Sequence, residues 1–307
     1  MSALIIGYGS IGKKHAEILS RLGSTVSVVT SQAIENYLCY KTIEDAFKKT
    51  NVDYDYIIIA NPTYMHYQTL KTMGDLGFQG IILVEKPLFS ELKLQGFSLQ
   101  KNIYVAYNLR FHELFTYLKK LLEDDQLISF SAQVGSYLPN WRKESDYRNS
   151  YSAKKEWGGG VLRDLSHELD YVLWLCGACI EVTAMGGHLS TLDINSDDIY
   201  SILMRCKQCP QVNIQLDYLN KIPMRQIIIQ TKNQHSINID LISGKLILNG
   251  EIKFQVDAAI QKTYIKQHEL LLKQDFTDFC DYTQGIAVVK LIETIEQACA
   301  QKKWMSI

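Results

Sequence analysis

Three features of the chain predict a two-domain α/β protein, with a doubly wound parallel sheet first and then an α/β domain built on a large, mainly antiparallel open sheet. The length of 307 residues exceeds what one hydrophobic core usually serves. The first third alternates short apolar runs with helical patterns, the rhythm of a parallel sheet covered on both faces. Beyond the middle, strand patterns follow one another without helices between them, the rhythm of antiparallel pairing. The expected domains are residues 1–108 and 109–307.

Taken in order, the first strands are expected at Ala3 to Ile6, Thr25 to Thr30, Tyr56 to Ala60, Ile81 to Glu85 and Ile103 to Ala106. Between them, segments such as Lys13 to Leu22 and Tyr67 to Leu76 space apolar residues as helices do. A helix from Phe111 to Leu122 and a strand from Ile128 to Tyr137 open the second domain, and a polar, aromatic loop leads to Gly158, Gly159 and Gly160. The next helix, Val161 to about Leu175, places Leu162, Leu165, Leu169, Val172 and Leu173 on a core-facing arc. Asp164, His167, Tyr171 and Trp174 fall on the other side, available to a cleft. Seven strands are expected between Glu181 and Val256. In "VNIQLDYL" the alternation buries Val212, Ile214, Leu216 and Tyr218 and turns Asn213, Gln215 and Asp217 outward. Two helices, near Tyr264 to Tyr282 and Ile286 to Gln301, close the chain.

Thirty-two basic residues against 33 acidic ones leave a net charge of -1, which supplies no electrostatic drive toward nucleic acid or an anionic membrane. The longest apolar run, Tyr171 to Ile180, is too short for a bilayer span. The first residues carry no basic segment or cleavage signal, so the cytoplasm is the expected compartment, with its seven cysteines reduced. Two CxxC pairs, Cys176 with Cys179 and Cys206 with Cys209, suggest a zinc ribbon, but their separation exceeds the usual spacing. They read instead as buried apolar residues at a helix end and a hairpin turn, and no metal is expected.

Near the start, "ALIIGYGSIGKKHAEIL" places Gly7, Gly9 and Gly12 between a strand and an amphipathic helix, at the head of a βαβ unit. That context converts a common glycine pattern into the Rossmann dinucleotide fingerprint. Gly7 permits the turn, Gly9 lets the backbone approach a diphosphate, and Gly12 lets helix and strand close up. Tyr8 belongs to the same turn, and Ser10 and Ile11 present N–H groups at the positive end of the helix dipole. The second strand ends at Thr30, Ser31 and Gln32, without the acid that usually holds an NAD ribose. Either NAD or NADP is expected, with NADP slightly favoured; Glu35 is the residue that argues the other way.

Further on, "IIIANPTYMH", "ILVEKPL" and "VAYNLRFHE" each sit at or just beyond the end of an expected parallel strand, where ligands bind in such sheets. With "GYGSIGKKH" before them and "GGGVLRDLSHELDYVLWL" after, the chain resembles the oxidoreductases named for glucose-fructose oxidoreductase, inositol dehydrogenase and MocA over nearly its whole length. The resemblance implies a nicotinamide cofactor, hydride transfer at a hydroxyl or carbonyl carbon of a sugar, cyclitol or sugar nucleotide, and homo-oligomer contacts through the open C-terminal sheet. It places Asn61, Pro62, Thr63 and His66 along the cofactor, with Glu85, Lys86 and Pro87 as the family's EKP and Lys86 as its catalytic lysine. The loop "YLPNWRKESDYRNSYSAKKEWGGG" resembles the subset associated with bacterial surface sugars.

Chemistry makes a matching demand. A secondary alcohol that loses hydride must also lose its hydroxyl proton, so a base has to reach that oxygen, and Lys86 and His167 are the candidates. Asp164 lies three residues before His167, close enough on a helix to orient the imidazole; relatives often separate the acid and the histidine by four. Arg142, Arg148, Tyr151, Lys154 and Lys155 suit an anionic substrate, and Asn108 and Arg110 are further candidates for contact with it. His15, His112, His188, His235 and His268 read as structural. Two rival readings use the same glycine loop. A non-catalytic nucleotide sensor would bind cofactor without turnover, and a methyltransferase would leave EKP unexplained.

Overall fold

The computed structural model describes residues 1–48, 53–93, 100–142, 144–257 and 260–307; Lys143, within the quoted polar loop, lies outside them. In chain order the first elements are β1 (Ser2–Ile6), α1 (Ser10–Arg21), β2 (Thr25–Val29), β3 (Leu38–Tyr40), α2 (Ile43–Lys48), β4 (Tyr56–Ile59), α3 (His66–Asp75), β5 (Ile81–Val84) and β6 (Ile103–Val105). They are followed by α4 (Glu113–Leu121), β7 (Leu127–Gly135), α5 (Val161–Asp164), α6 (His167–Cys176), β8 (Cys179–Gly187), β9 (Ile199–Cys206) and β10 (Gln211–Asp217). Last come β11 (Met224–Thr231), β12 (Ser236–Asp240), β13 (Lys245–Leu248), β14 (Glu251–Gln255), α7 (Ile260–Leu272), β15 (Cys280–Asp281), α8 (Tyr282–Gln301) and β16 (Met305–Ser306).

The chain divides into two compact units, Met1–Phe111 with Gln261–Ile286, and His112–Ile260 with Ala287–Ile307. The first holds a seven-stranded sheet in the order β15-β6-β5-β4-β1-β2-β3. Six strands run parallel, and β15 adds an antiparallel edge through Cys280 opposite Val105. Tyr56, Ile57, Ile58 and Ile59 are all buried, as strands covered on both faces require. The order reverses between β1 and β4, the switch point at which such sheets open a crevice beyond their strand ends.

Residues 261–286 belong to this first unit, which differs from the division expected at 108. The expected single helix from Tyr264 to Tyr282 is also interrupted: α7 ends at Leu272, and Gln274 turns the chain at φ 55. Aromatic packing fixes the interruption, because Phe276 stacks on Tyr104 at 4.5 Å and Phe279 packs on Phe111 at 4.8 Å.

In the second unit nine strands run β14-β13-β12-β11-β7-β10-β9-β8-β16, antiparallel except for the parallel pair β10 and β7. Val212, Ile214, Leu216 and Tyr218 are buried as the alternation expects. Asp217, expected outward, is buried instead, because its carboxylate accepts the N–H groups of Leu219 and Asn220, both at 2.8 Å. The expected helix from Val161 is two helices, broken at Leu165 and Ser166. Tyr171, expected at a cleft, is buried between Phe115 at 5.0 Å and Phe130 at 6.1 Å. Trp174 packs on Phe115, with the Lys119 ammonium 4.9 Å from its ring. Among the described residues no helix is long and apolar enough to cross a membrane.

Candidate functional site

In the first unit, the glycine turn joins β1 to α1 at the switch point. Gly7 has φ +97, and a Cβ there would come within 2.6 Å of the Asn61 nitrogen. On Gly12 a Cβ would overlap the Gly7 carbonyl oxygen, so only glycine lets the helix close onto the turn. Gly9 differs from both: nothing lies within 4 Å of a Cβ built on it. As the N-cap residue of α1 it brings no side-chain cap to the N–H groups at the helix start. Ser10 is exposed, and Tyr8 and Ile11 are half-buried.

Around this turn stand the ends of β2, β4 and β5. The Thr30 hydroxyl accepts the Gln32 N–H at 3.1 Å, and Ser31 is exposed. Asn61 donates from Nδ2 to Thr69 at 2.8 Å, while its buried Oδ1 has no partner. Pro62 is exposed and Thr63 is buried. His66 is buried among carbonyls, with Asn61 at 3.0 Å from Nε2, and Leu88 at 3.1 Å and Pro87 at 3.2 Å from Nδ1. Burial pulls its pKa below the ordinary imidazole value, while those carbonyls act in the opposite sense.

Glu85, at the end of β5, accepts the Lys86 N–H at 3.2 Å. It also meets His15 Nε2 at 2.9 Å, and His15 Nδ1 meets His268 Nε2 at 2.7 Å. Both histidines are fully buried. The carboxylate assigns the tautomers: His15 donates from Nε2, His268 donates to His15, and His268 Nδ1 is left without a partner. Burial and then His15 hold His268 well below the ordinary imidazole pKa. This chain ties the helix after the glycine turn to the strand end that carries Lys86, itself half-buried. Read singly in the sequence, His15 and His268 gave no sign of it, because the two lie 253 residues apart.

Two expected substrate contacts are occupied inside this unit. Asn108 is buried and donates to Thr263 at 2.5 Å, and buried Arg110 donates to Gln284 at 2.8 Å.

In the second unit, Asp164 ends α5 and His167 begins α6, both buried. The Asp164 carboxylate accepts the hydroxyl of Tyr218 at 2.5 Å. Burial, with Asp164 beside it, pushes the Tyr218 pKa well above the ordinary phenol value. Tyr218 was legible in the sequence only as a buried strand residue. Next to His167, buried Glu168 pairs with Arg225 at 3.0 Å and accepts the Tyr171 hydroxyl at 3.3 Å. Arg142 is exposed, Tyr151 and Lys154 are half-buried and Lys155 is exposed. Arg148 is held by Asp146 at 2.7 Å and faces Asp193 at 3.6 Å.

A parallel sheet with its switch point at a glycine turn in one unit, and a large, mainly antiparallel sheet in the other, define a two-unit α/β protein with a Rossmann-type first unit. Residues 115–233 match the GFO/IDH/MocA C-terminal domain. No curated protein matches the sequence. The fold is that of solved structures with low identity. Levoglucosan dehydrogenase in complex with NADH and levoglucosan has a TM-score of 0.81 at 16% identity, over 100% of this chain and 99% of that one. GenD2 from gentamicin A biosynthesis, in complex with NAD, has a TM-score of 0.80 at 17% identity, over 100% and 96%. The WlbA dehydrogenase from Bordetella pertussis, with NADH and UDP-GlcNAcA, has a TM-score of 0.79 at 16% identity, over 100% and 97%.

Proposed function

We propose that the chain is an NAD(P)-dependent oxidoreductase that moves hydride between a nicotinamide cofactor and a hydroxyl or carbonyl carbon of a sugar, sugar acid or sugar nucleotide. The observation that carries this reading is the open space at Gly9 beside two glycines with no room for a side chain, a cradle of the shape a diphosphate needs. The residues present fit the group: Gly7, Gly9, Ser10, Ile11 and Gly12 hold the diphosphate, and Tyr8, Asn61, Pro62, Thr63, His66 and Glu85 form the strand-end wall. The free Asn61 Oδ1 supports this assignment, as an acceptor for an amide donor. When bound, a nicotinamide dinucleotide supplies the hydride donor or acceptor. The neighbours named above carry NAD or NADH. For this chain NADP is slightly favoured, because Thr30 and Ser31 offer hydroxyls where an acid would repel a 2′-phosphate.

The chain itself handles the proton. Lys86 and His167 hold or move it at the substrate oxygen. Asp164, fixed by Tyr218, sets the short turn from which His167 projects. Arg142 and Tyr151 contact the substrate, and an anionic sugar or sugar nucleotide matches the guanidinium. Asn108 and Arg110, already bonded inside the first unit, act on substrate through the shape of the 108–111 turn. The protein works in the cytoplasm, needs no nucleic acid or membrane, and self-associates through the open face of its nine-stranded sheet.

Lys86→Ala tests the reading. Turnover across a panel of sugars and sugar nucleotides falls by about 10²–10⁴-fold while dinucleotide affinity holds. Loss of dinucleotide affinity in that variant contradicts the assigned role. Wild-type protein that binds dinucleotide and turns over none of the panel is instead the non-catalytic sensor.

A further inference from the structure

The two CxxC pairs, far apart in sequence, meet in the second unit. Cys176 ends α6, Cys179 begins β8, Cys206 ends β9, and Cys209 stands two residues before β10. All four are free and buried, with exposures of 0%, 8%, 3% and 0% respectively. Cys179 faces Cys206 in the antiparallel register of β8 and β9. The bond from the Lys207 N–H to the Ala178 carbonyl, 3.0 Å, brackets this pair, which makes it a non-hydrogen-bonded pair, the kind whose side chains lie closest. One step outward the Gln208 N–H donates to the Cys176 carbonyl at 2.8 Å, which brings Cys176 beside Cys209. The Cys179 thiol donates to the Glu181 carbonyl and the Cys209 thiol to the Gln211 carbonyl, both at 3.4 Å. Among the described residues no group of three or more Cys, His or carboxylate side chains is disposed to hold a metal ion.

We propose that Cys176–Cys209 and Cys179–Cys206 are two thiol–disulfide couples, closed by exchange with a low-molecular-weight disulfide such as oxidised glutathione, which staple the end of α6 to the turn between β9 and β10. Each link joins cysteines that the backbone pairing brings together beside the irregularity after Cys179. The exposed Lys207–Gln208 turn has to open to admit the small disulfide, because Cys176 and Cys209 have no exposed surface. Within each pair one thiol, Cys179 or Cys209, is held below its ordinary pKa by the hydrogen bond from its partner, which favours it as the attacking thiolate. Cys179 is the most exposed of the four, and the turn over the pairs consists of exposed Lys207 and Gln208. In the first step a protein thiolate attacks the small disulfide, forms a mixed disulfide and releases one small thiol. The partner cysteine then attacks the protein-bound sulfur, closes the internal bond and releases the second. Two protein thiols give up two electrons, and their two protons end on the two small thiols, so each couple balances.

The test uses the full chain. Wild-type protein is incubated with oxidised glutathione, its remaining thiols are alkylated, and intact mass and non-reducing peptide maps are recorded. The expected result is the loss of four hydrogen atoms, links 176–209 and 179–206, and reversal by dithiothreitol. The apparent melting temperature of the oxidised form rises by about 5–10 °C. Cys179→Ala loses two hydrogen atoms instead of four and keeps the 176–209 link. Unchanged mass, links inside either CxxC, lasting glutathione adducts, or zinc retained by the native protein that shields all four thiols would each overturn the proposal.

Discussion

Two glycine-rich turns in this chain look alike in sequence and do opposite things. In "GYGSIG" the turn before α1 leaves empty space at Gly9 and no side chain on the helix start. In "WGGG" the turn before α5 is filled. A Cβ on Gly159 would overlap the Tyr151 carbonyl oxygen, and one on Gly160, at φ +115, would overlap the Asp197 carboxylate. That carboxylate accepts the Leu162 N–H at 3.0 Å, while the Asp197 carbonyl accepts the Val161 N–H at 3.0 Å. Burial raises the Asp197 pKa above the ordinary carboxylate value. The second turn thus already holds an anion from its own chain, whereas the first leaves open the space that the proposed function assigns to one from outside. Glycine count does not distinguish them; what stands opposite each missing Cβ does.

The two turns differ most in what they tolerate at Gly12. Gly12→Ala has no space to accept its methyl group and is expected to cost about 3 kcal/mol and to abolish dinucleotide binding, read by denaturant melts and fluorescence titration. Asp197→Ala removes the internal anion and costs about 1–2 kcal/mol while dinucleotide affinity stays unchanged. A loss of affinity there would show that the two turns are not independent.

Acid gives an effect of intermediate size. His268 and His66 are held neutral by burial in the fold, whereas in the unfolded chain they titrate near 6.5. Below that pH the unfolded chain takes up protons that the folded chain does not, so stability is full above about pH 6.5 and falls as the pH drops beneath it. Urea midpoints at pH 7.5 and 5.5 measure the fall, and His268→Gln should shrink it. The smallest effect on stability belongs to Gly9→Ala, which has open space and extended backbone and changes it by less than about 0.5 kcal/mol. Dinucleotide affinity in the same variant drops by about tenfold or more, because its methyl group stands where the diphosphate must approach.

What the sequence revealed follows the reach of the forces involved. The apolar runs that became β1, β2, β4 and β5 were legible because burial on both faces leaves few choices of residue. The glycine turn was legible because its three glycines and the contact of Gly12 with the Gly7 carbonyl lie within six residues; the approach of Gly7 to Asn61 left no such local mark. The short elements Leu38–Tyr40 and Ile43–Lys48 carry too few residues to show a period. The break at Leu165 and Ser166 was hidden because helical spacing continues through it. The bond between Tyr218 and Asp164 spans 54 residues, and the pairing of Cys280 with Val105 spans even more, so neither leaves a local mark.

That last pairing bears on how the molecule is made. A ribosome that has released residues 1–111 has delivered six of the seven strands of the first sheet, but neither the edge strand that covers β6 nor the imidazole that meets His15. The first unit is therefore completed only after every strand from β7 to β14 has emerged. A nascent chain stalled before residue 281 carries a bare sheet edge, and shortened versions cut after residue 111 are expected to aggregate rather than to yield a free-standing unit.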